Sequence, residues 1–205
     1  MHPNPAFHTD DDLRNIAFAR SRAFGTLATN GVEGPLTAHV PFLLSEDGAT
    51  LELHLVRSNP IVSAAKTTLP AVVTVLGPDS YISPDWYDTP DQVPTWNYIA
   101  IRLRGSLSLQ PQETLHDLLD RQSAHFEEQL TTKAPWTSAK MSDGVMERMM
   151  RAIVPLKMEV SGIEGTWKLN QNKPDPVRLN AATHVENAGL GTDLDHLAQM
   201  MRDAK

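Results

Sequence analysis

Between residues 24 and 109 apolar side chains return at every second position in five stretches, FGTLAT, PLTAHVPFLL, ATLELHLV, AVVTVLGPDSYIS and YIAIRLRGSLSL. Side chains alternate between the two faces of an extended chain, so this period gives each stretch one apolar and one polar face. Turn signals such as Asn30-Gly31 and Asp47-Gly48 separate the stretches. With PLKMEVSGIEG at 155–165 as a further strand, the pattern predicts an antiparallel sheet closing into a barrel. The fold class is mainly β with flanking helices (α+β).

Helical spacing interrupts the strands in five places. Thr9 and Asp12 stand at capping-box spacing ahead of Leu13, Ile16 and Ala17, which predicts a first helix. NPIVSAAKTTLP reads as a short helix with Pro60 in its first turn. Gln112–Leu130 carries Leu115, Leu118, Leu119, Phe126 and Leu130 on one stripe. Ser142 caps a segment that groups Val145, Met146, Met149, Met150 and Ile153, and a last helix starts at Thr192 with Asp195 at capping-box spacing. The organisation expected is one domain over 1–205, with helical additions at about 111–153 and about 192–204.

Composition narrows the function classes. A net charge of -7 opposes extensive coating of nucleic acid or anionic membrane. The absence of cysteine removes disulfides and thiolate chemistry, and fits a reducing compartment. The N-terminus has neither a basic nor an apolar leader region, and no apolar run is long enough to span a membrane, so the cytoplasm is expected. GLGTDL holds two of the three glycines of a dinucleotide fingerprint and follows no strand. No H-E-x-x-H, H-x-H or Gly-x-Ser-x-Gly pattern occurs, so neither a metal site nor a hydrolase is expected. The spacing between the two central helices is too long for a helix-turn-helix.

Three polar stretches exceed what turns require. HLVRSNP puts Arg57, Ser58 and Asn59 between a strand end and a helix start, a combination suited to a phosphate; the alternative is that Asn59 simply caps the helix. YISPDWYDTPDQVPTWNYIAI gathers Trp86, Tyr87, Trp96, Asn97 and Tyr98, either as core or as the rim of a ligand site. GTWKLNQNKPDP crowds Trp167, Lys168, Asn170, Gln171 and Asn172 into one turn.

Taken together, HLVRSNP, PDSYISPDWY, VPTWNYIAI and GTWKLNQNKP resemble, in this order, the PaiB family of flavin-binding negative transcriptional regulators. The resemblance implies a split β-barrel of the pyridoxamine-phosphate-oxidase type, a homodimer, and FMN at the dimer interface. By that similarity Arg57, Ser58 and Asn59 grip the phosphate, while His39, Val40, His54 and Leu55 lie along the flavin, some through backbone groups. Trp167, Lys168, Gln171 and Asn172 would reach the flavin of the second subunit. Trp96 and Asn97 complete the expected cofactor set. At the phosphate turn this chain has Arg-Ser-Asn-Pro where oxidases carry Ser-Arg-Lys, so one strong cation stands in place of two.

DNA contact is implied by the resemblance alone, and would need a protein partner or a basic patch from Arg102, Arg104, Lys173 and Arg178. The alternatives are an FMN-dependent oxidoreductase, with Tyr98, His39 and His54 as candidate proton carriers, or a haem-handling protein using His39, His54 or His184. No catalytic acid or base is singled out.

Overall fold

The computed structural model describes residues 2–9 and 12–204. In chain order the elements are β1 (His8–Thr9), α1 (Asp12–Arg22), β2 (Phe24–Gly31), β3 (Gly34–Leu44), β4 (Thr50–Val56), α2 (Pro60–Ala64), β5 (Leu69–Ile82), β6 (Thr95–Leu109), α3 (Leu115–Glu127), α4 (Val145–Met150), β7 (Ile153–Lys168), α5 (Asp175–Val185), β8 (Gly191–Thr192) and α6 (Leu194–Asp203). The long strands run in the order β7-β4-β3-β2-β5-β6, and β6 also pairs with β7, so they close into a ring. The chain divides into two compact units, residues 16–74 with 103–163, and residues 1–15 with 75–102 and 164–205.

In the first of these units the two-residue period sets the core. Leu51, Leu53 and Leu55 of β4 are buried, as are Val40, Phe42 and Leu44 of β3. Each such side chain contributes about 1.5–3 kcal/mol on burial. The registers Leu53↔Phe42 and Leu51↔Leu44 place these residues opposite one another. β6 and β7 approach closely at Gly105, where a Cβ would stand 2.1 Å from the Glu159 carbonyl oxygen. Only glycine permits that approach. The Asp47-Gly48 turn forms as expected, with Gly48 at a left-handed φ of 72°.

The helices around this core differ from the sequence expectation in detail. α3 is shorter than Gln112–Leu130: Gln112–Thr114 form a 3-10 turn, and Leu130 is exposed. α4 is capped by Gly144 rather than Ser142 and has no fully buried residue: Val145, Met146 and Met150 are half-buried and Met149 is exposed. On α1 the buried residues are Asn15, Ile16, Phe18 and Ala19, while Leu13 is 75% exposed. The Thr9 side chain, on which the expected capping box rests, lies outside the described residues.

In the other unit β1 pairs with β7 (His8↔Thr166) and β8 pairs with β5 (Asp79↔Thr192). Thr192 therefore donates its hydroxyl to Asp79 at 3.1 Å instead of capping α6, whose N-cap is Asp193. α5 has no counterpart in the sequence reading. It brings Ala181, Ala182 and Val185 into the same core as Leu197, Ala198 and Met201 of α6. Arg178 of α5 is buried, donating to the Met201 carbonyl at 2.8 Å and to Asp175 at 2.7 Å.

Candidate functional site: the strand-to-helix turn at Arg57

β4 ends at Val56, and Arg57 and Ser58 form the turn that leads through Asn59 into α2. The Asn59 side chain accepts the Ile61 N–H at 2.9 Å, so it caps the helix, with Pro60 at the first helical position. Arg57 is fixed differently. Its Nε donates to the Arg151 carbonyl at 3.1 Å, and its Nη2 donates to Gln112 Oε1 at 3.0 Å and to the Ile153 carbonyl at 3.3 Å. Among the described residues all its partners are neutral oxygens, and Nη1 has none. The guanidinium is held in place by these bonds, and no carboxylate pairs with it among the described residues. Ser58 adds an exposed hydroxyl that makes no hydrogen bond among the described residues.

The strands leading to this turn present alternate faces. Val40 and Leu55 point into the core, so only their main chain is available to a ligand. His39 is exposed on the outer face, with its Nδ1 3.1 Å from Thr26 Oγ1 on the neighbouring strand. His54 shares the outer face of β4 with Glu52, and α3 covers both: Arg121 clasps Glu52, and Gln122 stands against His54. Burial there pushes the His54 pKa below its ordinary value, with Gln122 opposing the shift. His54 Nδ1 and Gln122 Nε2 are both buried without a hydrogen-bond partner.

The other expected residues belong to the second unit. Trp96 is 44% exposed and meets the Tyr81 ring edge-on at 6.4 Å. Asn97, one position on, faces inward; its amide N–H contacts Met201 Sδ at 3.5 Å and its Oδ1 is buried without a partner. Trp167 is buried, donating its indole N–H to Asn15 at 2.9 Å, with the Arg14 guanidinium 3.8 Å above the ring centre. Lys168 donates to Thr95 Oγ1 and to the Trp96 carbonyl, and its burial lowers its pKa.

Gln171 folds back on its own turn, accepting the Leu169 N–H at 2.8 Å and donating to the Trp167 carbonyl. Asn170 takes the left-handed φ of 62° that reverses the chain and accepts the Tyr87 hydroxyl. Asn172 is exposed. His184 stacks on Trp86, their rings 5.7 Å apart. The signal sequence reading missed is Gln112, which helps aim Arg57 from 55 positions away.

The family described as "Putative FMN-binding domain" matches residues 1–162. The chain belongs to this family. A protein of Bacillus subtilis (strain 168) named "Protease synthase and sporulation protein PAI 2" is 27% identical over 188 residues, covering 91% of this chain and 89% of that one. Among solved structures, the FAD and heme binding protein from Mycobacterium smegmatis aligns with a TM-score of 0.57 at 15% identity, covering 79% of this chain and 73% of that one. The flavocytochrome Anf3 from Azotobacter vinelandii aligns with a TM-score of 0.56 at 10% identity, covering 82% and 72%. These likenesses establish the split-barrel fold.

A flavin is thus the cofactor of the family to which the chain belongs, and the turn at Arg57 fits FMN on one observation. A rigid guanidinium whose described partners are all neutral, beside a free hydroxyl, is complementary to a phosphate. The matched segment ends at residue 162, so it contains this turn and stops short of the one at 167–172.

Proposed function

We propose that the chain is a cytoplasmic homodimer that carries FMN and acts as a negative regulator of transcription through the occupancy or redox state of that flavin. The observation that carries the flavin site is the Arg57 guanidinium, held by neutral oxygens with Nη1 unpartnered among the described residues. In this reading Arg57 and Ser58 hold the phosphate, and Asn59 keeps α2 in place as its cap. The main chain at Val40 and Leu55 and the exposed His39 border the ring system. His54, beneath α3, orders the strand rather than touching the ligand. Trp96 and Asn172 of the second subunit are the groups left to complete the site, because Asn97, Trp167, Lys168 and Gln171 are engaged within their own chain. When bound, the flavin supplies redox chemistry that no side chain offers.

The outer face of β2 and β3 supports the dimer. Phe24, Thr26, Ala28 and Asn30 alternate outward on β2, and Thr37, His39 and Pro41 on β3, with no Asp, Glu, Lys or Arg among them. An uncharged face of this kind suits a partner better than water. The regulatory part of the proposal rests on the PaiB resemblance and on the similarity to the Bacillus protein named for protease synthase and sporulation. Direct DNA contact has little support: Arg102 is paired with Glu164, Arg178 is buried, and Lys173 is bonded to Gln92. Regulation through a protein partner is the form proposed.

Absorbance titration of the purified protein with FMN, alongside Arg57→Ala, tests the site. Saturable flavin binding that weakens in the variant is expected. No binding at micromolar FMN, or equal binding by the variant, overturns it. Sedimentation tests the dimer, and a gel shift repeated across salt concentrations tests DNA contact, for which a nonspecific, salt-erased response is expected.

A further inference from the structure

The unit formed by residues 16–74 and 103–163 holds a second concavity that shares no residue with the Arg57 turn. It is a cleft of about 460 Å³ between the end of α1, the β3–β4 hairpin and α3. That size lies within the roughly 300–1,000 Å³ of small-molecule sites. Leu43 and Ala124 give it apolar surface, and Arg20, His125 and Glu128 give it polar groups.

The charged residues of this cleft divide into closed and open sets. Arg121 grips both Glu52 oxygens, at 2.8 and 3.1 Å, and donates its Nε to Asp117 at 2.7 Å, so these groups satisfy one another. Among the described residues Arg20 reaches only Glu46, at 3.9 Å, and the Glu46 side chain is 94% exposed. A pair that loose is worth roughly 0–1 kcal/mol and yields readily to a better partner. The Glu128 carboxylate has no partner among the described residues, and His125 Nε2 is buried without one. A buried ring nitrogen left unpaired is unfavourable unless something else satisfies it.

The cleft begins where α1 stops: Ala23, with a left-handed φ of 47°, donates its N–H to the Ala19 carbonyl at 2.9 Å and so ends the helix.

An available cation, an available carboxylate and an apolar wall ask for a ligand with both charges. A simple anion would meet Arg20 but also Glu128 and Glu46. A simple cation would leave Arg20 unanswered. We propose that this cleft binds a small zwitterion of the α-amino-acid class, its carboxylate on Arg20, its ammonium on Glu128, and its side chain against Leu43 and Ala124. The proposal is independent of the flavin reading.

Calorimetric titration of the FMN-treated protein with L-leucine, L-methionine and L-phenylalanine in turn tests it. At least one of the three should saturate with a Kd of roughly 1 mM or below. For leucine the single-charge fragments are 4-methylpentanoate and 3-methylbutylamine, and each should bind at least about tenfold more weakly than the amino acid. Arg20→Ala and Glu128→Gln should each weaken binding by about tenfold or more. Both side chains are solvent-accessible, and Glu128→Gln keeps shape, so it decides the matter if Arg20→Ala folds poorly. FMN titration of the same variants should be unchanged, which separates this site from the Arg57 turn. The proposal is overturned if no amino acid saturates by about 10 mM, if a fragment binds as well, or if Glu128→Gln leaves binding intact.

Discussion

The chain has two turns crowded with hydrogen-bonding side chains, and they use them in opposite ways. At Arg57–Asn59 one residue caps a helix and the others face outward, with a guanidinium fixed by neutral carbonyls and a hydroxyl without a described partner. At Trp167–Asn172 the indole N–H, the Gln171 amide and the Lys168 ammonium all close onto groups of the same chain. Polar density alone therefore does not distinguish the two turns. In the proposed reading, a binding turn differs from a structural one in keeping charge and donors once the fold is satisfied.

The sharpest way to break this contrast is at the second turn. Trp167→Ala should lower unfolding stability by about 3–5 kcal/mol in urea titration, because it empties a packed site and strips Asn15 of its partner. In the milder Trp167→Phe the FMN affinity should hold. A folded Trp167→Phe protein that loses FMN would show that the buried indole serves the ligand after all. At the first turn the effects should reverse. Arg57→Ala should weaken FMN by about 1.5–3 kcal/mol, roughly 10- to 150-fold, with a smaller change in stability.

Gln171→Ala should reduce stability by about 1 kcal/mol, since the Leu169 N–H loses its acceptor, without moving FMN affinity. His54 offers a pH-resolved test just before the first turn. Its folded pKa is depressed by burial, so the unfolded chain takes up a proton more readily below the ordinary value of 6.5. That contribution to stability is complete above this pH and is lost as pH falls through the depressed folded value. His54→Gln should flatten the stability profile there, measured by denaturation at stepped pH. The smallest change belongs to the exposed Asn172: Asn172→Ala should alter stability by less than about 0.5 kcal/mol, and a severalfold loss of FMN affinity would mark it as a contact from the second subunit.

The strands were legible because each buries one face, which writes a two-residue period into the sequence. The cap at Asn59 was legible because it acts within two residues. Features that depend on distant partners were not. The Trp167 indole N–H bonds to Asn15, 152 positions earlier, a pairing that no local pattern announces. Thr192 has the right spacing for a capping box, but strand pairing gives its hydroxyl to Asp79 instead. α5 was hidden for two reasons. Its Pro-Asp-Pro start also reads as a stop, and its buried face is made of Ala181, Ala182 and even Arg178, so no apolar stripe announces it. α4 shows the converse, a methionine stripe that the fold only half buries.

The ring of strands closes through β7, which pairs with β4 on one side and β6 on the other. During synthesis from the N-terminus, β4 and β6 therefore leave the ribosome well before the strand that covers their edges. For that interval both edges stand open to any other extended chain. The nascent protein is thus most exposed to aggregation before β7 emerges, and slowed translation between β6 and β7 should prolong its dependence on chaperones.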